Sequence, residues 1–202
     1  MKLEVETPHG TAVVHLHPVS DARGALVLGH GAAGGVGSPD LVAATEAALA
    51  ERCSVALVEQ PYRVAGRRAP APARQLDAAW IAVVEQLAGG ELRGLPLVAG
   101  GRSLGARVAC RTAETTGAAG VLCLAFPLQP PSRSAPRPSR LDELDQVAVP
   151  TLVVQGERDA FGMPPATASR TVVAVPGDHS LKADPEAVAA AVRGWLPGVL
   201  QR

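Results

Sequence analysis

The chain reads as a three-layer α/β sandwich: a mostly parallel sheet, entered through an N-terminal antiparallel hairpin and covered by helices on both faces. Two observations predict this. Residues 25–28, 55–58, 95–99, 121–126, 151–154 and 171–175 are short runs that are apolar rather than alternating, as in parallel strands buried on both faces. Between them lie stretches of helical period, and strand–helix alternation is how such a sheet is written in sequence. With 202 residues, 47% of them hydrophobic, and no internal repeat, one domain spanning 1–202 is expected.

Each element has its local reason. Residues 3–6 and 11–17 alternate enough to pair as strands across Pro8-His9-Gly10. Ser38-Pro39 supplies an N-cap and a first-turn proline, after which Leu41, Val42, Thr45, Ala48 and Leu49 share one helical face. Leu76, Trp80, Val83, Val84 and Leu87 form a second face that ends at Gly89-Gly90. A third helix is expected from Ser103 to about Thr116, stopped by Gly117. The last opens at Asp184-Pro185 and lays down Val188, Val192 and Trp195. Residues 127–140 hold five prolines and no helical period, so a loop at the carboxyl edge of the sheet is expected.

Composition narrows the function. Nineteen basic and nineteen acidic residues cancel, which gives no reason to expect nucleic acid or an anionic membrane as partner. The start lacks the apolar core of a signal peptide, and no uncharged run approaches the roughly 20 residues of a spanning helix. Three cysteines, Cys53, Cys110 and Cys123, lie in or beside apolar segments without metal-like spacing and read as reduced core residues. A cytoplasmic protein without metal or cofactor is the expectation.

The chemistry centres on Gly101-Arg102-Ser103-Leu104-Gly105, between a buried-strand pattern and a helical one. Gly-x-Ser-x-Gly at such a junction is a nucleophile elbow, with the serine on a strained turn and glycines where side chains would collide. An attacking serine needs a base and an orienting acid. The one histidine after Ser103 is His179, in a loop between the last strand and the last helix. Asp159 follows the preceding strand, 20 residues earlier, and is the expected acid; Glu157 reads as solvent-facing and Asp178 as a loop-stabilising residue. Oxyanion donors are expected from the N–H groups of Leu104, at a helix start, and Ala32, in the glycine-rich stretch 28–35. That stretch lacks the Gly-Lys-Ser/Thr of a phosphate loop and the spacing of a dinucleotide site. His30 reads as a structural loop residue, and His15 and His17 as residues of a surface strand.

On these residues the chain resembles the α/β-hydrolase superfamily along essentially its whole length. More narrowly it resembles the small lidless dienelactone-hydrolase-related branch, which includes mammalian testis-expressed hydrolase-like proteins and a hydrolase-like domain of a histone-acetyltransferase complex. The runs at 30–35, 60–68, 101–107, 125–131, 155–159 and 178–181 carry the narrower match. The resemblance implies an α/β-hydrolase sandwich without a lid domain, and Ser103, Asp159 and His179 as triad. It departs from the dienelactone hydrolases proper, whose nucleophile is a cysteine.

The expected activity is therefore hydrolysis of a small-molecule carboxylic ester or thioester. Acyl transfer or peptide cleavage by the same triad, and a non-catalytic binding module on the same fold, stay open. The arginines also read in two ways. Arg63, Arg67 and Arg68 follow one strand, Arg133, Arg137 and Arg140 another, and Arg102 and Arg158 flank triad residues. They are either solvated loop cations or an electropositive mouth for an anionic substrate, with Arg63, Arg67 and Arg68 as its expected binding residues.

Overall fold

The strands pair in the order β1-β2-β4-β3-β5-β6-β7-β8. They are β1 (Lys2–Thr7), β2 (Gly10–His17), β3 (Gly24–Gly29), β4 (Cys53–Glu59), β5 (Leu97–Arg102), β6 (Gly120–Leu124), β7 (Thr151–Gly156) and β8 (Arg170–Val175). The structure, a computed structural model, describes residues 1–132, 135 and 137–201. β1 and β2 form the hairpin, β2 runs antiparallel to β4, and every other pairing is parallel. The chain winds outward from β3 to β4, then returns across β3 to begin β5. The winding therefore reverses at the carboxyl ends of β3 and β5, where open α/β sheets hold ligands.

Helices α1 (Pro39–Ala50) and α6 (Pro185–Leu200) pack together on one face. On the other lie α3 (Ala73–Gly89) and α4 (Leu104–Thr112), with the short α2 (Pro61–Val64) and α5 (Leu141–Asp145) beside them. β3, β6 and β7 are buried along their whole length, the reason their sequences are apolar without alternation. Trp80 of α3 and Phe126, just past β6, fill one layer of core; Leu152, Val188 and Val192 fill the other. β8, at the sheet edge, buries only its end residues. No helix among the described residues is long and apolar enough to cross a membrane.

Several boundaries depart from the expectations, and those at β5, β6 and α4 have local physical reasons. β5 begins at Leu97 because Pro96 has no N–H; its carbonyl instead accepts from Ala25 at 2.9 Å. β5 then continues through Gly100 and Gly101 to Arg102, in register with β3 and β6. β6 stops at Leu124 because Ala125 turns to φ +50°. α4 ends at Thr112, four residues early, where the Thr112 and Thr116 hydroxyls bond backbone carbonyls one turn back. At the start of α1, Ser38 holds the cap position but its hydroxyl does not cap the helix, whereas Asp184 caps α6 by accepting from the Ala187 N–H at 2.9 Å. Cys53, Cys110 and Cys123 are buried free thiols, and the Cys110 and Cys123 sulfurs lie 3.5 Å apart.

Candidate active site

Ser103 stands between β5 and α4 at the winding reversal, with φ 50° and ψ −101°, a conformation that a non-glycine residue holds only under constraint. The constraint is backbone on backbone. The Ser103 N–H donates to Leu124 O at 2.8 Å, and its carbonyl accepts from Arg107 at 3.2 Å. A Cβ on Gly101 would stand 2.5 Å from the Gly29 carbonyl oxygen, and one on Gly105 would strike the same carbonyl. The two glycines of the motif thus let the end of β3 lie directly beneath the turn.

Loops after β7 and β8 complete the arrangement. His179 Nε2 lies 3.0 Å from Ser103 Oγ, and His179 Nδ1 lies 2.8 Å from Asp159 Oδ2. A carboxylate only accepts, so Nδ1 carries the proton and Nε2 is left to accept from the serine. The Asp159 side chain is fully buried. It receives two further donors, the Gln155 amide on Oδ2 and the Phe161 N–H on Oδ1, each at 2.8 Å. The Phe161 ring covers the imidazole at a centroid distance of 4.3 Å. Asp178 turns away to the Ser180 N–H and hydroxyl, which hold its carboxyl below the ordinary value, and Glu157 is exposed.

Beneath the site sits a buried ion pair. Arg102 Nε lies 3.0 Å from Oδ2 of Asp40, a side chain with no solvent exposure, and Arg102 Nη2 donates to the His179 carbonyl at 3.0 Å. Burial raises the Asp40 carboxyl above its ordinary value despite the opposing pull of Ser38, Arg102 and the Leu41 N–H. One guanidinium thereby ties the start of α1 to the histidine loop.

Ser103 opens onto a cavity of about 370 Å³ that Ala32 and Leu104 also line. Leu104 is the first residue of α4, so its N–H has no carbonyl one turn back to bond. The Tyr62 hydroxyl donates to the Ala32 carbonyl at 3.2 Å and holds that loop against the wall. His30 lies behind it, buried, with Nδ1 bonded to Gly31 O and Nε2 accepting from the Gln60 N–H; burial lowers its pKa and keeps it neutral. His15 pairs with Glu59 on the sheet surface at 2.5 Å.

The arginines lie differently from expectation. Arg67 lines a separate groove with His9 and Gln75, while Arg63 and Arg68 line neither that groove nor the serine cavity. Arg107, Arg111 and Arg140 reach the serine cavity instead. Arg107 and Arg111 follow Ser103 by four and eight residues, a spacing that puts them on its face of α4 and was legible in the sequence. Arg137 is exposed, and Arg133 lies outside the described residues. Gln155 was legible only as part of a motif, and nothing in the sequence marked Phe161.

The model of the α/β-hydrolase domain family matches residues 22–188, and the chain belongs to that family. Among solved structures it is similar to a lidless α/β serine hydrolase from Xanthomonas campestris, 21% identical with a TM-score of 0.73 over 98% of this chain and 95% of that one. It is similar to a dienelactone hydrolase from Anabaena variabilis, 16% identical, TM-score 0.75, over 98% and 96%. A thermophilic esterase from Thermogutta terrifontis is 19% identical, TM-score 0.72, over 98% and 99%. These likenesses are of fold. No protein of curated function matches the sequence.

Proposed function

We propose that this α/β hydrolase is a serine hydrolase that cleaves carboxylic esters or thioesters through an acyl-enzyme. Ser103 is the nucleophile, His179 the base and Asp159 the acid that orients it. The observation that carries this reading is the unbroken relay from Asp159 to His179 at 2.8 Å and from His179 to Ser103 at 3.0 Å, ending on a strained turn at a cavity.

In the first half His179 Nε2 takes the Ser103 proton as Oγ bonds the acyl carbon. The N–H groups of Leu104 and Ala32 receive the oxyanion. The imidazolium, stabilised by Asp159, returns the proton to the departing alkoxide or thiolate as its bond to the acyl carbon breaks. In the second half water attacks the acyl carbon and His179 Nε2 takes its proton, then gives that proton to Ser103 Oγ as the Oγ–acyl bond breaks and the acid is released. Three donors on Asp159 keep it an acceptor throughout, so the histidine holds one tautomer.

Labelling with a neutral fluorophosphonate tests the reading. One adduct on Ser103, lost in a folded Ser103→Ala variant, is the expected result. An adduct on another serine, or none on folded protein, would overturn the reading and leave a hydrolase fold that binds without turnover.

A further inference from the structure

Three guanidiniums, from Arg107, Arg111 and Arg140, line the cavity that holds Ser103. Two of them are matched. Arg107 grips Glu143 through Nε at 2.8 Å and Nη2 at 2.6 Å; Arg111 grips Asp77 in the same two-toothed way at 2.9 and 2.6 Å. Arg140 is not. Its Nη1 donates to the Pro127 carbonyl at 3.0 Å, and no carboxylate of the described residues forms an ion pair with it. A single carbonyl uses one of the five donors of a guanidinium and none of its charge. Burial first, and then the neighbouring Arg107 cation, hold the Arg140 guanidinium below its ordinary value, while Glu143 opposes them. Arg140 is therefore a partly desolvated cation beside the nucleophile, lacking the counter-ion its two neighbours have.

We propose that Arg140 receives a carboxylate carried by the substrate, so that the enzyme prefers esters bearing one negative charge. The proposal rests on the serine-hydrolase reading above. The match is of one charge to one: three cations face two carboxylates, and a monoanion closes the balance, whereas a phosphate dianion would overshoot it. Planar carboxylate also suits the guanidinium fork. Ala71, Leu76 and Phe161 give the cavity an apolar wall, suited to a hydrocarbon spacer between the carboxylate and the scissile carbonyl. Arg140 is thus a specificity residue, in the place that one of the two sequence readings gave to Arg63, Arg67 and Arg68.

The test compares kcat/KM for three aryl esters: 4-nitrophenyl hexanoate, the 4-nitrophenyl half-ester of adipic acid, and the hexanoate of a nitrophenol carrying a carboxylate. The second puts the anion on the acyl side and the third on the leaving group. At least one anionic ester is expected to exceed the neutral one by about tenfold at low salt, as a charge-assisted bond provides. That ratio should shrink as salt screens the contact. Arg140→Gln should collapse it and Arg140→Lys restore part of it. Ratios near one in the wild type, or a ratio that survives Arg140→Gln, overturn the proposal. Fluorophosphonate labelling of the wild type separates the two readings. Labelling with no anionic preference refutes this inference alone, and no labelling with no turnover refutes both.

Discussion

Replacing Arg102 by Met isolates what the buried pair contributes. Methionine keeps much of the stem volume and removes the guanidinium, leaving the Asp40 carboxylate at zero exposure with the Leu41 N–H at 3.0 Å. A stranded buried charge costs about 3–5 kcal/mol. Asp40 escapes that cost by taking up a proton, and this fixes the pH dependence. Its folded-state pKa already lies above the ordinary 3.8 through burial, and losing Arg102 removes one of the influences that lower it. A carboxyl raised in the folded state favours folding at low pH and loses that contribution as pH rises from the unfolded value through the folded one. Stability of Arg102→Met should therefore fall by about 1.4 kcal/mol per pH unit across that window. The window is narrower in the wild type. Urea denaturation of both proteins across a pH series measures the gap, which should be largest at pH 8 and shrink toward acid. Adding Asp40→Asn to the variant should remove the slope. A destabilisation of the same size at every pH, or a slope that survives Asp40→Asn, would refute the reasoning.

Other changes test other joints of the site. Asp159→Asn should cut kcat by about 10³–10⁴ because the imidazole loses its orienting charge, whereas Asp178→Asn, whose partner is Ser180, should leave turnover nearly intact; steady-state kinetics on one neutral ester decide it. Gly105→Ala should destabilise despite a helix-propensity gain of about 1 kcal/mol. The new Cβ meets the Gly29 carbonyl, a backbone atom that cannot step aside, so a melting curve at or above the wild type would contradict the tight turn. Trp80→Ala should cost about 3–5 kcal/mol by chemical denaturation, since the ring is 1% exposed in the core layer beneath β3.

What the sequence determined by itself was local and periodic. A strand buried on both faces has no polar side to write, so β3, β6 and β7 announced themselves. Asp184-Pro185 opened α6 because the cap bond spans three residues. The elbow was legible because backbone cannot approach backbone there unless positions 101 and 105 lack a Cβ. Ser103, Asp159 and His179 could be named as a set because each follows a strand, and parallel strands deliver their following loops to one edge. Tertiary structure alone decided what depends on meetings between distant segments. The union of Arg102, Asp40 and His179 joins residues 62 and 77 positions from Arg102. Phe161 covers the imidazole because Asp159 captures its N–H and folds that loop back over the site. That Arg140 faces Ser103 was likewise hidden, since a loop cation, unlike Arg107 and Arg111 on α4, carries no periodic mark of the cavity it enters. Arg140 joins the serine's wall because its own N–H bonds Leu128 O at 2.8 Å and closes the proline-rich loop on itself. A loop closure of that kind is set by where both ends of the chain are already held, not by the residues between them.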